Sequence, residues 1–147
     1  MKKTIHYLAL IIILTGLYSC GAENKKEAGG QEETSSMIKK YRDDGTLSSV
    51  SPVDEEGFVN GVMTNFYEDG KTVHSKVTYV HGSKEGPALW YYKNGQVHEH
   101  TAFHKGKKQG LTKKYYPSGE LSEELSYEQG EEQPGAKKFN RQGQEIK

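Results

Sequence analysis

The sequence of 147 residues has little cysteine and little proline, with one cysteine, Cys20, and four prolines. A single cysteine excludes an internal disulfide, so the folded part must be held together by packing. An excess of one charge is also absent, because 20 basic side chains balance 20 acidic ones. Nucleic-acid binding requires a net basic surface. The composition therefore predicts no nucleic-acid partner.

Long apolar runs are absent except near the N-terminus, where the run from Ile5 to Leu17 follows Lys2 and Lys3. A basic start, an apolar stretch of about a dozen residues and a small residue before the cut make up a secretory signal. A membrane-spanning helix needs roughly 20 apolar residues, and this run is shorter. The pattern predicts a signal peptide over residues 1–19.

The only cysteine lies directly after this run. The segment Leu17-Tyr18-Ser19-Cys20 resembles the lipobox of bacterial lipoproteins. The resemblance implies diacylation of the Cys20 sulfur and cleavage before it, and two acyl chains make a durable membrane anchor. We expect an exported chain that is lipid-anchored to the cell envelope, at the outer membrane. A secreted protein cut near Ser19 and an uncleaved anchor are the alternatives.

Residues 20–36 contain no aromatic and no branched apolar side chain. Such a segment cannot bury enough surface to offset the entropy of ordering. We therefore predict a lipidated Cys20 followed by a flexible tether, in which sixteen residues of coil span roughly 20–24 Å. The tether separates the membrane from a folded domain over residues 37–147.

The folded domain is repetitive. Four glycines open units of 24 or 25 residues: Gly61, Gly86, Gly110 and Gly135. Each of the three complete units carries an aromatic pair near its middle: Phe66-Tyr67, Tyr91-Tyr92 and Tyr115-Tyr116. A degenerate unit precedes these three and a truncated one follows them. A fixed period of this kind is the signature of a repeat protein.

Each unit carries two turn signals. Asp69-Gly70 and Asn94-Gly95 are favoured pairs for a two-residue hairpin loop, in which both central residues need positive φ. We predict five such turn glycines: Gly45, Gly70, Gly95, Gly119 and Gly143. The second turn is marked by His81-Gly82, Lys105-Gly106 and Gln129-Gly130. The segments between turns have the length of strands.

Even spacing of apolar residues after the first turn predicts one apolar sheet face. This face would hold Leu47, Val53, Val97, Thr101, Phe103, Leu121, Leu125 and Tyr127. Val73, Val77 and Tyr79 follow the same spacing shifted by one residue, as a longer turn or a bulge produces. The polar face would hold His74, Lys76, Thr78, His98, His100, Ala102, Ser122, Glu124 and Ser126. One apolar and one polar face are typical of an antiparallel meander.

The aromatic side chains near the first turn form a candidate interaction surface: Tyr67, Trp90, Tyr91, Tyr92, Tyr115 and Tyr116. Adjacent tyrosines point to opposite faces, so we expect the pairs to stack between units as an aromatic ladder on each side. Two interpretations follow. The rings are core and inter-repeat contacts, or they form a platform that faces a ligand.

The order of glycine, aromatic pair, Asn/Asp-Gly, alternating strand, aromatic and glycine resembles the variant MORN repeat over residues 37–147. Bacterial chains with this variant are often named YwqK-like antitoxins. The resemblance implies an all-β fold, in which tandem antiparallel β-hairpins form an elongated, single-layer, twisted sheet. It also implies protein or membrane contacts and no active site.

Two clusters of side chains are candidates for binding chemistry. His98 and His100 share a predicted strand face with His74 at a similar place one unit earlier, and paired imidazoles bind zinc or copper. Histidines exposed on a polar strand face would account for the same residues, and we predict no metal and no cofactor. Lysines and glutamates also cluster: Lys105, Lys107, Lys108, Lys113, Lys114, Glu123, Glu124, Glu128, Glu131 and Glu132. These predict solvated cross-strand ion pairs, with contact to anionic head groups as the alternative.

The sequence carries no nucleophile elbow, zinc-protease helix or phosphate loop, which predicts a chain without catalytic activity. We expect a membrane-anchored interaction scaffold that binds an envelope protein rather than a small molecule. One alternative is an antitoxin or immunity protein that neutralises a toxin. The other is a module that binds envelope lipid or glycan through Trp90 and exposed tyrosines.

Overall fold

The computed structural model describes residues 36–147, so the signal peptide, Cys20 and nearly all of the tether lie outside the described residues. The described residues form eleven strands. They are β1 (Ser36–Tyr41), β2 (Leu47–Val53), β3 (Gly61–Phe66), β4 (Val73–Val80), β5 (Ser83–Tyr91), β6 (Val97–His104), β7 (Lys107–Lys108), β8 (Gly110–Tyr115), β9 (Leu121–Glu128), β10 (Glu131–Phe139) and β11 (Glu145–Ile146).

All eleven strands belong to one open antiparallel sheet, in which neighbours along the chain are neighbours in the sheet. The short strand β7 pairs with β6 next to β8. The predicted all-β class and the single sheet of hairpins are therefore confirmed. Residues 36–147 contain no helix of sufficient length and apolar character to cross a membrane.

The first turn of each unit differs from the two-residue loop that the sequence predicts. The Tyr92 amide donates to the Gln96 carbonyl at 2.8 Å, and the Gly95 amide donates to the Tyr92 carbonyl at 2.9 Å. The loop therefore has three residues, and only its glycine is left-handed, with φ of +84° at Gly95. Asn94 serves the loop in another way, since its Oδ1 accepts the Gln96 amide at 3.0 Å. This is the hairpin in which a turn is followed by a left-handed glycine.

All five predicted turn glycines have positive φ: Gly45 (+81°), Gly70 (+65°), Gly95 (+84°), Gly119 (+103°) and Gly143 (+76°). The loop before β4 is one residue longer than the others, because the Tyr67 amide donates to the Thr72 carbonyl. This confirms the longer turn inferred from the shifted spacing of Val73, Val77 and Tyr79.

The two-residue loop with two left-handed residues occurs instead at the second turn of the three complete units. Its first position is not glycine in any unit, and φ is +45° at His81, +49° at Lys105 and +53° at Gln129. A left-handed conformation costs a residue with a Cβ atom roughly 1–2 kcal/mol. The preceding unit offsets part of this cost, because Glu85 accepts the Lys105 amide at 2.8 Å and Gln109 accepts the Gln129 amide at 3.0 Å.

The predicted apolar face is wrong for the first residue that it includes after each first turn, because a bulge follows that turn. Trp90 pairs with Glu99 but Tyr91 pairs with Val97, so His98 is an extra residue on β6. Because the extra residue breaks the alternation, Val97 lies on the face opposite Thr101. The same register shift places three more predicted members on that opposite face: Leu47, Val73 and Leu121.

The remaining predicted residues do share one face, which we call the packed face. Its central members are Val53, Val77, Ala88, Thr101, Phe103 and Leu125, all buried. Tyr79 and Trp90 pack against the cluster of Val77, Ala88 and Phe103. The hydroxyls of Thr101 and Thr112 hydrogen-bond to each other beside it, which satisfies both buried polar groups. The other side of the sheet is called the open face below.

Candidate interaction surface

The six predicted aromatic residues occupy three different places. Three of them, Tyr67, Tyr92 and Tyr116, join neighbouring units. Their hydroxyls donate to the carbonyls of Tyr91 (2.6 Å), Tyr115 (2.8 Å) and Phe139 (2.8 Å). Arg42 takes this position in the first unit, where its guanidinium donates to the Phe66 carbonyl at 2.6 Å. These side chains support the inter-repeat interpretation.

The predicted stacking of tyrosine on tyrosine does not occur among residues 36–147, where two tyrosine rings contact histidines instead. Tyr67 packs edge-on against His74 with ring centroids 4.8 Å apart, and Tyr92 packs against His98 at 4.7 Å. Equivalent tyrosines of neighbouring units are two strands apart, about 9.6 Å. Aromatic pairs require centroids within roughly 4.5–7 Å, so the strand between them prevents direct stacking.

Trp90 belongs to the packed face. Its ring lies 6.4 Å from that of Phe103, and it is half-buried against the core. Glu99 is its cross-strand neighbour on the same face. Trp90 therefore stabilises the domain, and it does not lie beside Tyr91 or Tyr115.

Tyr91 and Tyr115 lie on the open face, in a row of half-buried apolar side chains that we call the turn-side row. It consists of Leu47, Phe66, Val73, Tyr91, Val97, Tyr115, Leu121 and Phe139. An aromatic side chain alternates with an aliphatic one from Phe66 onwards, because the aromatic ends one strand and the aliphatic starts the next. Sequence reasoning missed this row because the bulge places its aliphatic half away from the predicted apolar face.

A cavity of about 280 Å³ lies on the open face beside this row. Its lining residues are Leu89, Gln96, Val97, His100, Tyr115 and Gly119. Leu89, Val97 and Tyr115 are half-buried and form its apolar part, whereas Gln96 and His100 are exposed. The cavity therefore has the size and the lining to receive one apolar side chain.

A second apolar row crosses the open face near the other ends of the strands, and we call it the outer row. Its apolar members are Met37, Pro52, Val62, Pro87, Ala102 and Leu111, and the polar Thr78 and Ser126 stand in the same row. Three of them are prominently exposed: Met37 at 55%, Val62 at 48% and Leu111 at 52%. Two apolar rows on the face that does not hold the core exceed the scattered apolar residues of an ordinary surface.

The histidines predicted as possible metal ligands have separate contacts. His74 and His98 pack on tyrosine rings, and His100 lines the cavity. Within residues 36–147, no group of three or more His, Cys, Asp and Glu side chains is placed to hold a metal ion.

The predicted cross-strand ion pairs are confirmed for two lysines. Lys114 Nζ lies 2.7 Å from Glu123 on the packed face, and Lys113 Nζ lies 3.4 Å from Glu124 on the open face. The hydrogen bond that the partly buried Lys114 ammonium donates to Glu123 raises the pKa of Lys114. Lys108 Nζ pairs with a glutamate of an adjacent strand, Glu99, at 2.7 Å.

Two segments, residues 84–104 and 108–129, match the family model of the MORN repeat variant. No curated protein and no solved structure shows significant similarity to the chain. These two segments, which make up less than half of the chain, are therefore similar to MORN-variant repeats, as the motifs of the sequence imply. The cavity lies at their junction, with Leu89, Gln96, Val97 and His100 from the first and Tyr115 and Gly119 from the second.

Proposed function

We propose that this chain is a lipid-anchored envelope protein that binds a protein partner on the open face of its MORN-variant repeats and catalyses no reaction. The observation that carries the proposal is the apolar cavity at the junction of the two matched repeats, flanked by the turn-side row and the outer row. The packed face already holds the core. The apolar side chains of the open face are thus free for a partner.

The anchoring part of the proposal rests on the sequence. The apolar run before Cys20 and the lipobox-like residues around it favour export and diacylation. The polar segment that follows gives the repeats a reach of roughly 20–24 Å from the bilayer surface. An envelope protein at that distance is the partner that this arrangement suits best.

A substitution at Leu111 tests the docking surface. Leu111 is 52% exposed on the outer row, so Leu111→Arg introduces a charge there without opening the core. Ile146→Arg is the matched control, because Ile146 is 47% exposed and its pairing with Lys138 places it on the packed face. We expect chemical crosslinking in intact envelopes to join the native chain and the control variant to one protein, and Leu111→Arg to lose this product.

The partner's identity separates this function from its alternatives. A toxin as the crosslinked protein would support the antitoxin function, and a structural envelope protein would support a scaffold. Equal crosslinking by both arginine variants would contradict docking at the open face. Glycan binding through Trp90 is the least favoured alternative, because that ring packs against the core.

A further inference from the structure

The open face carries a third row, the middle row, between its two apolar rows. Following the strand register, this row consists of Lys39, Val50, Thr64, Lys76, Leu89, His100, Lys113, Glu124 and Lys137. Four lysines and one glutamate give it a net positive charge. The glutamate, Glu124, lies 3.4 Å from Lys113. An apolar face with a basic centre is complementary to an apolar ligand that carries acidic groups.

The spacing of the lysines around the cavity limits the shape of such a ligand. Lys76 on β4 and Lys113 on β8 are separated by β5 and β6, so they are three strand spacings apart. At about 4.8 Å per spacing this distance is roughly 14 Å. Leu89 and His100, which line the cavity, lie between them in the same row.

An extended peptide matches this spacing. Each residue of an extended chain advances about 3.3–3.4 Å, and alternate side chains point to the same side. Residues i and i+4 are thus roughly 13–14 Å apart on one side, with residue i+2 midway between them. We propose that the open face binds an extended protein segment of the pattern acid–any–apolar–any–acid. The two acids pair with Lys76 and Lys113, and the apolar side chain enters the cavity.

A membrane surface is the other ligand that lysines and apolar side chains attract, but two features favour the peptide. The apolar part of the cavity is recessed between Leu89, Val97 and Tyr115, which suits one inserted side chain. The basic residues are spaced along the row rather than clustered.

This inference rests on the proposed protein docking and names the chemistry of the partner. Its probe is a fluorescent nine-residue peptide, Gly-Ser-Glu-Ser-Leu-Ser-Glu-Ser-Gly, titrated with the full chain in a zwitterionic detergent. One comparison peptide has lysine in place of both glutamates, and another has glycine in place of the leucine. We expect the acidic peptide alone to bind, and its affinity to fall as salt is added.

Lys76→Gln should weaken binding of the acidic peptide roughly fivefold, since an exposed pair contributes up to about 1 kcal/mol. Lys71→Gln is the matched control, because Lys71 is equally exposed but lies in the first-turn loop. The control should bind as the native chain does. Lys76 lies outside the core, so a folding defect does not confound the comparison.

Three results would overturn the inference. The first is equal affinity for the acidic, basic and leucine-free peptides, or binding of none of them. The second is an equal effect of Lys76→Gln and Lys71→Gln. The third is that nanodiscs containing an anionic lipid contact the open face in a Lys76-dependent way while no peptide binds, which would identify a membrane ligand. None of these results decides the outcome of the Leu111→Arg crosslinking experiment. A failure of the peptide proposal is therefore distinguishable from a failure of the proposed docking.

Discussion

At the residue scale, Asp69 shows how a single side chain holds a first-turn loop. Its carboxylate accepts the Thr72 hydroxyl and the backbone amides of Lys71 and Thr72. These hydrogen bonds, the hydroxyl first, lower the pKa of Asp69 from 3.8 to about 2. The ionised form is thus preferred in the folded protein. Asp44 at the equivalent position has a pKa lowered in the same way, chiefly by the Thr46 hydroxyl.

The lowered pKa of Asp69 makes stability depend on pH below about 4. Because the folded pKa lies below the unfolded one, the stabilisation is complete above the unfolded pKa and is lost as pH falls towards 2. Asp69→Asn keeps the acceptor oxygen, as Asn94 does in its own loop, but removes the titration. We expect urea unfolding to show a smaller loss of stability between pH 5 and pH 2 for this variant. An identical loss of stability in the variant and the native chain would contradict the lowered pKa of Asp69.

At the scale of the element, the two turns of each hairpin unit have different backbone requirements. The first turn needs a left-handed residue only at its glycine, whereas the second turn holds two left-handed residues in succession. Asparagine is far better than lysine at the first position of a two-residue loop of this kind. The sequence places its Asp-Gly and Asn-Gly pairs at the other turn, where the side chain accepts a backbone amide.

Replacing lysine by asparagine at each turn tests this difference. Lys105 is left-handed at +49°, so Lys105→Asn should raise the free energy of unfolding by about 0.5–1 kcal/mol. Lys93→Asn is the control at the first turn, where it should give no gain. Urea denaturation measures both. Stabilisation by Lys93→Asn and not by Lys105→Asn would mean that the turn types are assigned to the wrong ends of the hairpins.

At the scale of the whole described domain, each unit is tied to the next by the same kinds of contact. A tyrosine hydroxyl reaches a carbonyl of the following unit, and a polar side chain caps the following second turn. Repeat domains are stabilised in this way by interfaces between nearest neighbours. The coupling between units therefore depends on a few side chains that recur with the period of the sequence.

Tyr92→Phe tests this coupling in the middle of the domain. The variant keeps the ring contact with His98 but loses the hydrogen bond to the Tyr115 carbonyl. We expect a loss of about 1 kcal/mol in the free energy of unfolding, measured by urea denaturation. Tyr91→Phe on the open face is the matched control, and an equal loss in both variants would show that the hydroxyl of Tyr92 has no special part.

Much of this fold was predictable because glycine and aromatic spacing repeat with little variation. The strand number per unit, the turn positions and the longer loop before Val73 all follow from that spacing. The face of Val97 was not predictable, because a bulge residue such as His98 has no distinctive composition. For the same reason, the sequence predicted only part of the interaction surface. Tyr91 and Tyr115 were included, but Leu89 and Leu111 became visible only when the register placed them on the open face, Leu89 in the cavity wall and Leu111 in the outer row.

The most direct test of docking on the open face is a photo-crosslinker placed at single sites of the full chain in intact envelopes. His100 is exposed and lines the cavity, and Lys71 is exposed in a first-turn loop away from it. Docking on the open face predicts a discrete crosslinked protein from position 100 and none from position 71. Crosslinking to the same protein from both positions, or from position 71 alone, would contradict a docking site on the open face.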